Sequence, residues 1–558
     1  MACKPDWITG PTVHNCWDFE ESPVCPICGA QLHLEFNDGG RVSRTLHGPL
    51  WVVTDYYSCE NEGCPLNAAF PALRDTVIRR KRFALDVWAQ VIWYHVELHL
   101  NYKQIRKLLA HDWQVFLSKG AVRDIIQWFE VANESFQDEE TRAAVLANGW
   151  ILLSLDGAQP EKGEAALWVF SDRLTGKVLL VKVLETATHE VLAAAMREVQ
   201  ELYGVPVLAV ISDRQENIVQ AVQEALPGVP HAFCHYHFLR NVARPVEAKD
   251  SSLLTTLRSA VRNLSLVKGG KKQAAVGGEV LASPTYHVLA PLAEELLCAV
   301  APQGDCFKVF PGLEARANLE YVQARLEEVL ALDLPKAVRR SLEVVHAALA
   351  TFLADTLQLQ AEAASLRADF DELREILGHR DRAGKKVRAE VRGFAQKLGE
   401  RLDKLGLESD PAQLQWQQLT YAADPAAVWQ EWLRLLHTHE AGLYVAFEWT
   451  GLEFTNVPKE HLFGQTKAHF RALYGKKNVA RAFQVHAPPY FRLAGHEWDE
   501  AGVKEVLLAS EEVVVSAGVK VLRAQYATIR RKWKIREQPT GNWEKLEENL
   551  RTITESGL

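Results

Sequence analysis

Four cysteines near the N-terminus, Cys25, Cys28, Cys59 and Cys64, form a C-x2-C pair and a C-x4-C pair separated by 30 residues. Two tight turns, each offering two thiolates, supply the four soft ligands that tetrahedral zinc takes. The chain has nine cysteines, an odd number, and clustering in close pairs reads as metal binding rather than as a disulfide framework. The plainer alternative is a set of buried structural cysteines, but the Pro and Gly around CPICG favour a zinc ribbon. Cys3 and Cys16 are spare ligands, and His33 and His47 are candidate replacements.

A second group of residues suits a harder cation. Asp156 closes the apolar run ILLSLD and is followed by Gly157, and Asp213 closes VLAVISD in the same way. Carboxylates at strand ends, where side chains leave the sheet, are able to converge on Mg²⁺, which prefers a few oxygen ligands. A single aspartate in such a place more often just ends a strand or caps a helix, so a third carboxylate is needed. Downstream, HAFCHYHFLRNV sets Cys234 and His237 three apart, with Arg240 and Asn241 following on what reads as one helix. Taken alone, that pair is half a zinc site or a buried thiol beside a polar histidine.

The elements that must position these residues change texture along the chain. Residues 1–78 are rich in Cys, Pro, Gly and Trp, with short strand-like runs, and read as the zinc ribbon. Residues 79–145 turn to helical periodicity: RRKRFALDVWAQVIWYHVELHL reads as one helix, followed by two short helices joined by a turn, a helix-turn-helix-like DNA-binding domain. From 146 to 250 the order is β-β-β-α-β-α, an α/β plan with a mixed sheet. Residues 251–441 are almost entirely helical, with a looser stretch near Gly269–Gly278. Residues 442–510 run from a loop into a helix, and 511–558 form a basic helical tail.

The order and spacing of these residues resemble those of the Mutator-like DDE transposases and their bacterial insertion-sequence relatives. In that family one aspartate ends the first strand and a second ends the fourth, some twenty residues before a C-x-x-H and an RN pair. Asp156, Asp213, Cys234, His237, Arg240 and Asn241 match. The family's third carboxylate lies in a TN-x-x-x-E segment followed by Lys and Arg, and FTNVPKEHLFGQTKAHFR supplies Thr455, Asn456, Glu460, Lys467 and Arg471. The match covers roughly 146–250 and 442–490. It departs at Val457, where many relatives have a second Asn, and at His461, often Arg. The resemblance implies a multidomain α/β protein: an RNase H-like mixed-sheet core interrupted by a large all-helical insertion. It implies Asp156, Asp213 and Glu460 as catalytic ligands of two Mg²⁺ (or Mn²⁺) ions, Asp156 bridging both. Cys234 and His237 would support that site, and structural Zn²⁺ would sit on the four cysteines.

Composition agrees with a folded chain acting on DNA. Apolar residues make up 48% and charged residues 24%, which excludes disorder, collagen-like repeats and coiled-coil fibre. No apolar run approaches the roughly 18 residues of a membrane span. MACKPDWITG lacks a basic n-region followed by an apolar stretch, so a cytoplasmic protein, nucleoid-associated if bacterial, is expected. The net charge is −8, yet residues 70–107, 455–481 and 520–536 carry local charges of +5, +5 and +7. Basic runs interleaved with Tyr526 and Trp533 suit phosphate contact with some stacking. The DNA-contacting candidates are Asn456, Lys467, Arg471, Lys476, Lys477, Arg530, Arg531, Lys532 and Lys534, with the helix around Lys119 to Trp128 reading bases. The expected activity is metal-dependent cleavage of element terminal repeats and strand transfer into target DNA by a homo-oligomer. The alternatives are a catalytically silent DNA-binding regulator and a nuclease that cleaves without joining.

Overall fold

The computed structural model describes residues 4–9, 12–15, 24–25, 27–71, 81–264, 266–267, 284–301, 310–416, 419, 423–449, 452, 454–455, 457–493, 496, 498–510 and 512–537. The chain is mixed α/β and divides into two compact units. The first comprises 1–208, 220–227 and 457–558, and the second 209–219 and 228–456. The looser stretch near Gly269–Gly278 lies outside the described residues.

The first unit opens with a small sheet built on one long strand. β4 (Gly48–Cys59) pairs in parallel with β1 (Thr12–Asn15) and antiparallel with β2 (Leu32–Asn37), β3 (Arg41–Thr45) and β5 (Phe70–Pro71). The β2–β3 turn needs glycine at Gly40: its φ is 88°, and a Cβ there would collide with the Trp51 ring.

Helices follow, α1 (Leu85–Val96), α2 (Tyr102–Asp112) and α3 (Lys119–Asn148). The first is shorter than its periodicity suggests. Arg44 N–H donates to Arg82 O and Ala84 N–H to Arg44 O, so residues 82–84 continue the β3 edge and the helix begins only at Leu85. A capping box of Asn101 and Gln104 starts α2, whereas α3 runs 30 residues to an αL cap at Gly149 instead of stopping as a short helix.

The next strands are β6 (Ile151–Ala158), β7 (Ala166–Asp172) and β8 (Val178–Leu184), three consecutive strands as expected, which form an antiparallel meander, followed by α4 (His189–Tyr203), β9 (Val207–Ser212), α5 (Glu216–Ala225) and β10 (His231–Phe233). The hydrogen-bonded order is β10-β9-β6-β7-β8, with β9 and β10 parallel, so the sheet is mixed. β9 enters in the first unit, where Ile151 N–H donates to Pro206 O, and ends in the second.

In the second unit α6 (His235–Asn263) leads into α7 (Pro284–Ala299), α8 (Pro311–Leu330), α9 (Lys336–Asp355), α10 (Leu357–Gly378), α11 (Gly384–Lys404) and α12 (Pro425–Leu443). These bury two apolar cores, one around Phe370 and Trp432 and one around Leu257, Leu319 and Leu349. Among the described residues no single helix is long and apolar enough to cross a membrane.

The chain then returns to the first unit with α13 (Val457–Tyr474), α14 (Ala480–Leu493), α15 (Glu500–Ala509) and α16 (Glu512–Glu537). Trp88, Phe129, Phe470, Phe483, Phe491 and Trp498 share one apolar core, so the C-terminal helices pack with α1–α3. Pro458 lies in the first turn of α13, where a missing N–H is tolerated.

Candidate metal centres and nucleic-acid surface

The four cysteines come together. Cys25 N–H donates to Ala30 O at 2.7 Å, and Gly29, at φ 72°, returns its N–H to Cys25 O at 2.9 Å, closing a tight turn. At the end of β4, Cys59 N–H donates to Leu66 O, and Leu66 N–H donates to Cys64 Sγ at 3.5 Å. Cys25 Sγ lies 3.7 Å from Cys64 Sγ, and Cys28 Sγ lies 3.5 Å from Cys59 Sγ. All four sulfurs lie within 4.8 Å of one another. A tetrahedron with Zn–S bonds of about 2.3 Å has sulfur–sulfur edges of about 3.8 Å, so the thiols fit zinc as they stand. The Ala30 N–H lowers the Cys28 thiol to about 7, while burial pushes Cys59 up to about 12. His33 faces Glu60 at 3.4 Å and His47 packs edge-on to Trp113, so neither replaces a cysteine. Cys3 and Cys16 lie outside the described residues.

Asp156 is buried on β6, opposite Val169 of β7, and its Oδ1 accepts from Gly157 N–H at 2.8 Å. Gly157 has no room for a side chain, because a Cβ would stand 2.8 Å from the Trp168 ring. Two residues earlier on the same strand face, buried Ser154 accepts from Lys459 Nζ through both its hydroxyl and its carbonyl, each at 2.7 Å. Lys459 is itself buried and immediately precedes Glu460 in the first turn of α13. The helix that carries Glu460 is therefore pinned to the strand that carries Asp156. The Glu460 side chain and Asn456 lie outside the described residues.

Asp213, in the second unit, follows β9 directly. Its Oδ2 accepts from Gln215 Nε2 at 2.8 Å, and its Oδ1 is buried and accepts no hydrogen bond among the described residues. Ser212 hydroxyl donates to Asp213 O at 2.7 Å, which leaves its lone pairs to accept from His231 Nε2, also at 2.7 Å. Burial holds His231 down to about 4, so the ring is neutral at pH 7. Cys234, buried at the N-cap of α6, donates its N–H to Ser212 O at 2.8 Å and so stands beside Asp213. His237 is half-buried one turn into α6, edge-on to Tyr236. Arg240 is exposed over the Tyr236 ring, and Asn241 lines a cavity of about 350 Å³ with Arg244, Trp416 and Glu431.

The basic residues divide into exposed and engaged. Lys476, Lys477, Arg471, Arg530 and Arg531 are exposed, and Arg471 donates to Lys477 O. Lys467 is half-buried on α13. Lys532 is paired with Glu185 at 2.8 Å, and the Lys534 side chain lies outside the described residues. One aromatic expectation needs correcting. Tyr526 is buried, its hydroxyl directed to Glu130 Oε2 at 3.4 Å, because α16 packs its face on α3 instead of offering it to DNA. Trp128 is a core side chain against Trp88, so on α3 only Lys119, Asp124 and Arg123 remain fully exposed between Lys119 and Trp128. Trp533 is half-buried and donates to Gln484.

No protein-family model matches this chain, and no curated protein matches it. Lys459, Ser154, Ser212 and His231 escaped the sequence reading. Ser154 had a visible signal: a serine inside the apolar run ILLSLD must find a partner once buried.

Proposed function

We propose that this chain is a DDE-type DNA transposase with an RNase H-like core, acting as a homo-oligomer on the double-stranded ends of its own element. The pinning of α13 to β6 through Lys459 and Ser154 carries the reading, since it holds the helix of the third carboxylate on the strand of the first. Supporting it are the strand order, the position of Cys234 against the strand leading to Asp213, and the bare Asp213 Oδ1, a hard-oxygen donor suited to a cation. Asp156, Asp213 and Glu460 would hold Mg²⁺ or Mn²⁺, which when bound activates the attacking oxygen and stabilises the leaving one. Lys467 and Arg471 on α13 would position DNA phosphates without reading sequence. The zinc-fitted cysteine cluster and α1–α3, a helix-turn-helix-like group, would recognise the terminal repeats.

The test is incubation of the full chain with labelled element ends, taken from the DNA flanking its gene, Mg²⁺ and a target plasmid. Labelled ends covalently joined to plasmid support transposition. Binding without cleavage identifies a silent regulator, cleavage without joining a nuclease, and no preference for the ends overturns all three.

A further inference from the structure

Pinned between α13, α14 and α16, all within the first unit, is a cavity of about 470 Å³ lined by Tyr474, Lys476, Asn478, Arg481, Arg530 and Trp533, among others. Three of these residues are cations and none of the lining residues is a carboxylate. The floor does not cancel that charge. His486 is half-buried, and desolvation holds it down to about 3, so it is neutral at pH 7. Behind it, burial raises Glu130 to about 8, which keeps most of that carboxyl protonated. The cavity therefore keeps a net positive lining that a dianion would neutralise.

Size and shape narrow the occupant. Pockets of roughly 300–1,000 Å³ take small organic ligands, so this one exceeds what a bare phosphate fills. A cavity of about 470 Å³ is too small to take in a duplex. Tyr474 is 45% exposed beside Arg530, and the Trp533 ring is steadied by its bond to Gln484. A partly exposed aromatic ring is a platform on which a base stacks. Asn478 adds an amide able to donate and accept at a base edge.

We propose that this cavity binds a nucleoside phosphate, stacking its base on Tyr474 and holding its phosphate with Lys476 and Arg530. The occupant is either an unpaired nucleotide at the end of a DNA strand or a free nucleotide. Only the first of these rests on the transposase reading.

The experiment measures anisotropy of the full chain with a labelled duplex bearing a 5′-phosphorylated three-nucleotide overhang, with the same duplex made blunt, and with dAMP as competitor. The wild type is expected to bind the overhang at least tenfold more tightly than the blunt end. Tyr474→Ala and Arg530→Gln should each reduce that preference below threefold, while Tyr474→Phe, which keeps the ring, retains it. Direct dAMP binding that is lost in Tyr474→Ala, with no overhang preference, assigns the free nucleotide. A wild type with neither property, or a preference that survives both Tyr474→Ala and Arg530→Gln, overturns the proposal. Strand joining by the same proteins is scored separately. A chain that joins ends but shows no preference and no dAMP binding loses only the cavity, and one that prefers the overhang but joins nothing loses only the transposase reading.

Discussion

Lys459 and Ser154 lie 305 residues apart, yet one buried ammonium donates to both the hydroxyl and the carbonyl of the serine at 2.7 Å. Hydrogen bonds to a charged group contribute about 1.5–3 kcal/mol each, and a buried partner left unsatisfied costs about as much as is lost. Lys459→Met keeps the length of the side chain and removes the donor. Stability should fall by about 2 kcal/mol in a urea titration. Strand cleavage should drop more than tenfold while binding to end DNA stays within threefold. Unchanged cleavage would remove Lys459 from any positioning role.

The carboxylates differ from Lys459 in what they should leave behind. Asp156→Ala, Asp213→Ala and Glu460→Ala should each abolish cleavage and joining, with end binding retained, because the metal ions and not side chains would stabilise charge at phosphorus. Near-normal joining by any one of them, read on a sequencing gel, excludes that residue.

Zinc should be present at one atom per chain and structural. Among the described residues the apolar cluster around it holds Leu32, Tyr57, Cys25, Cys59 and Cys64, with Ala30 and Leu66 packed beside them, too little to fold that end alone. Elemental analysis of freshly purified, reduced protein checks the content. Cys59→Ser should lose the metal and expose the β2–β4 amides to rapid hydrogen exchange, while the α1–α3 core keeps its protection.

Acidity should act through Glu130. Its carboxyl titrates near 8 in the folded chain and near 4.5 when unfolded, so folding takes up a proton between those values. The destabilisation is absent below about pH 4.5 and grows as pH rises toward 8. Glu130→Gln should therefore stabilise the protein by about 3 kcal/mol at pH 7, more at pH 8, and not at all at pH 4. Thermal denaturation across that range decides it, and a gain independent of pH would contradict the burial argument.

Salt should report the tail. If Arg530, Arg531 and Lys534 each meet a phosphate, neutralising all three should flatten the salt dependence of binding by about 0.9 per contact. End DNA and random DNA should weaken together, since such contacts carry no sequence information. Lys532→Ala alone should move the slope less, because Glu185 already holds that ammonium. An unchanged slope in the triple variant removes the tail from the DNA surface.

Much of this architecture was legible because it is written locally. The β-β-β-α-β-α run shows in short apolar stretches, and the cysteine cluster shows in two close pairs of thiols. What stayed hidden depends on distant partners. Nothing near Tyr526 in the sequence announces Glu130 across the core, so an aromatic amid basic residues looked like a stacking surface. Arg82 to Ala84 read as helix until the edge of β3 claimed their backbone. Lys459 sits in plain view beside Glu460, but only the packing of α13 on β6 shows where its charge goes.

β4 pairs with β3 along its first half and with β2 along its second, where Leu32 stands opposite Cys59. Strand side chains alternate, so a slip of one residue would turn Cys59 to the other face and leave the cluster one sulfur short. Four thiols converge in only one alignment of this long strand. A metal held by Cys25, Cys28, Cys59 and Cys64 would thus favour the one strand alignment that presents all four thiols together.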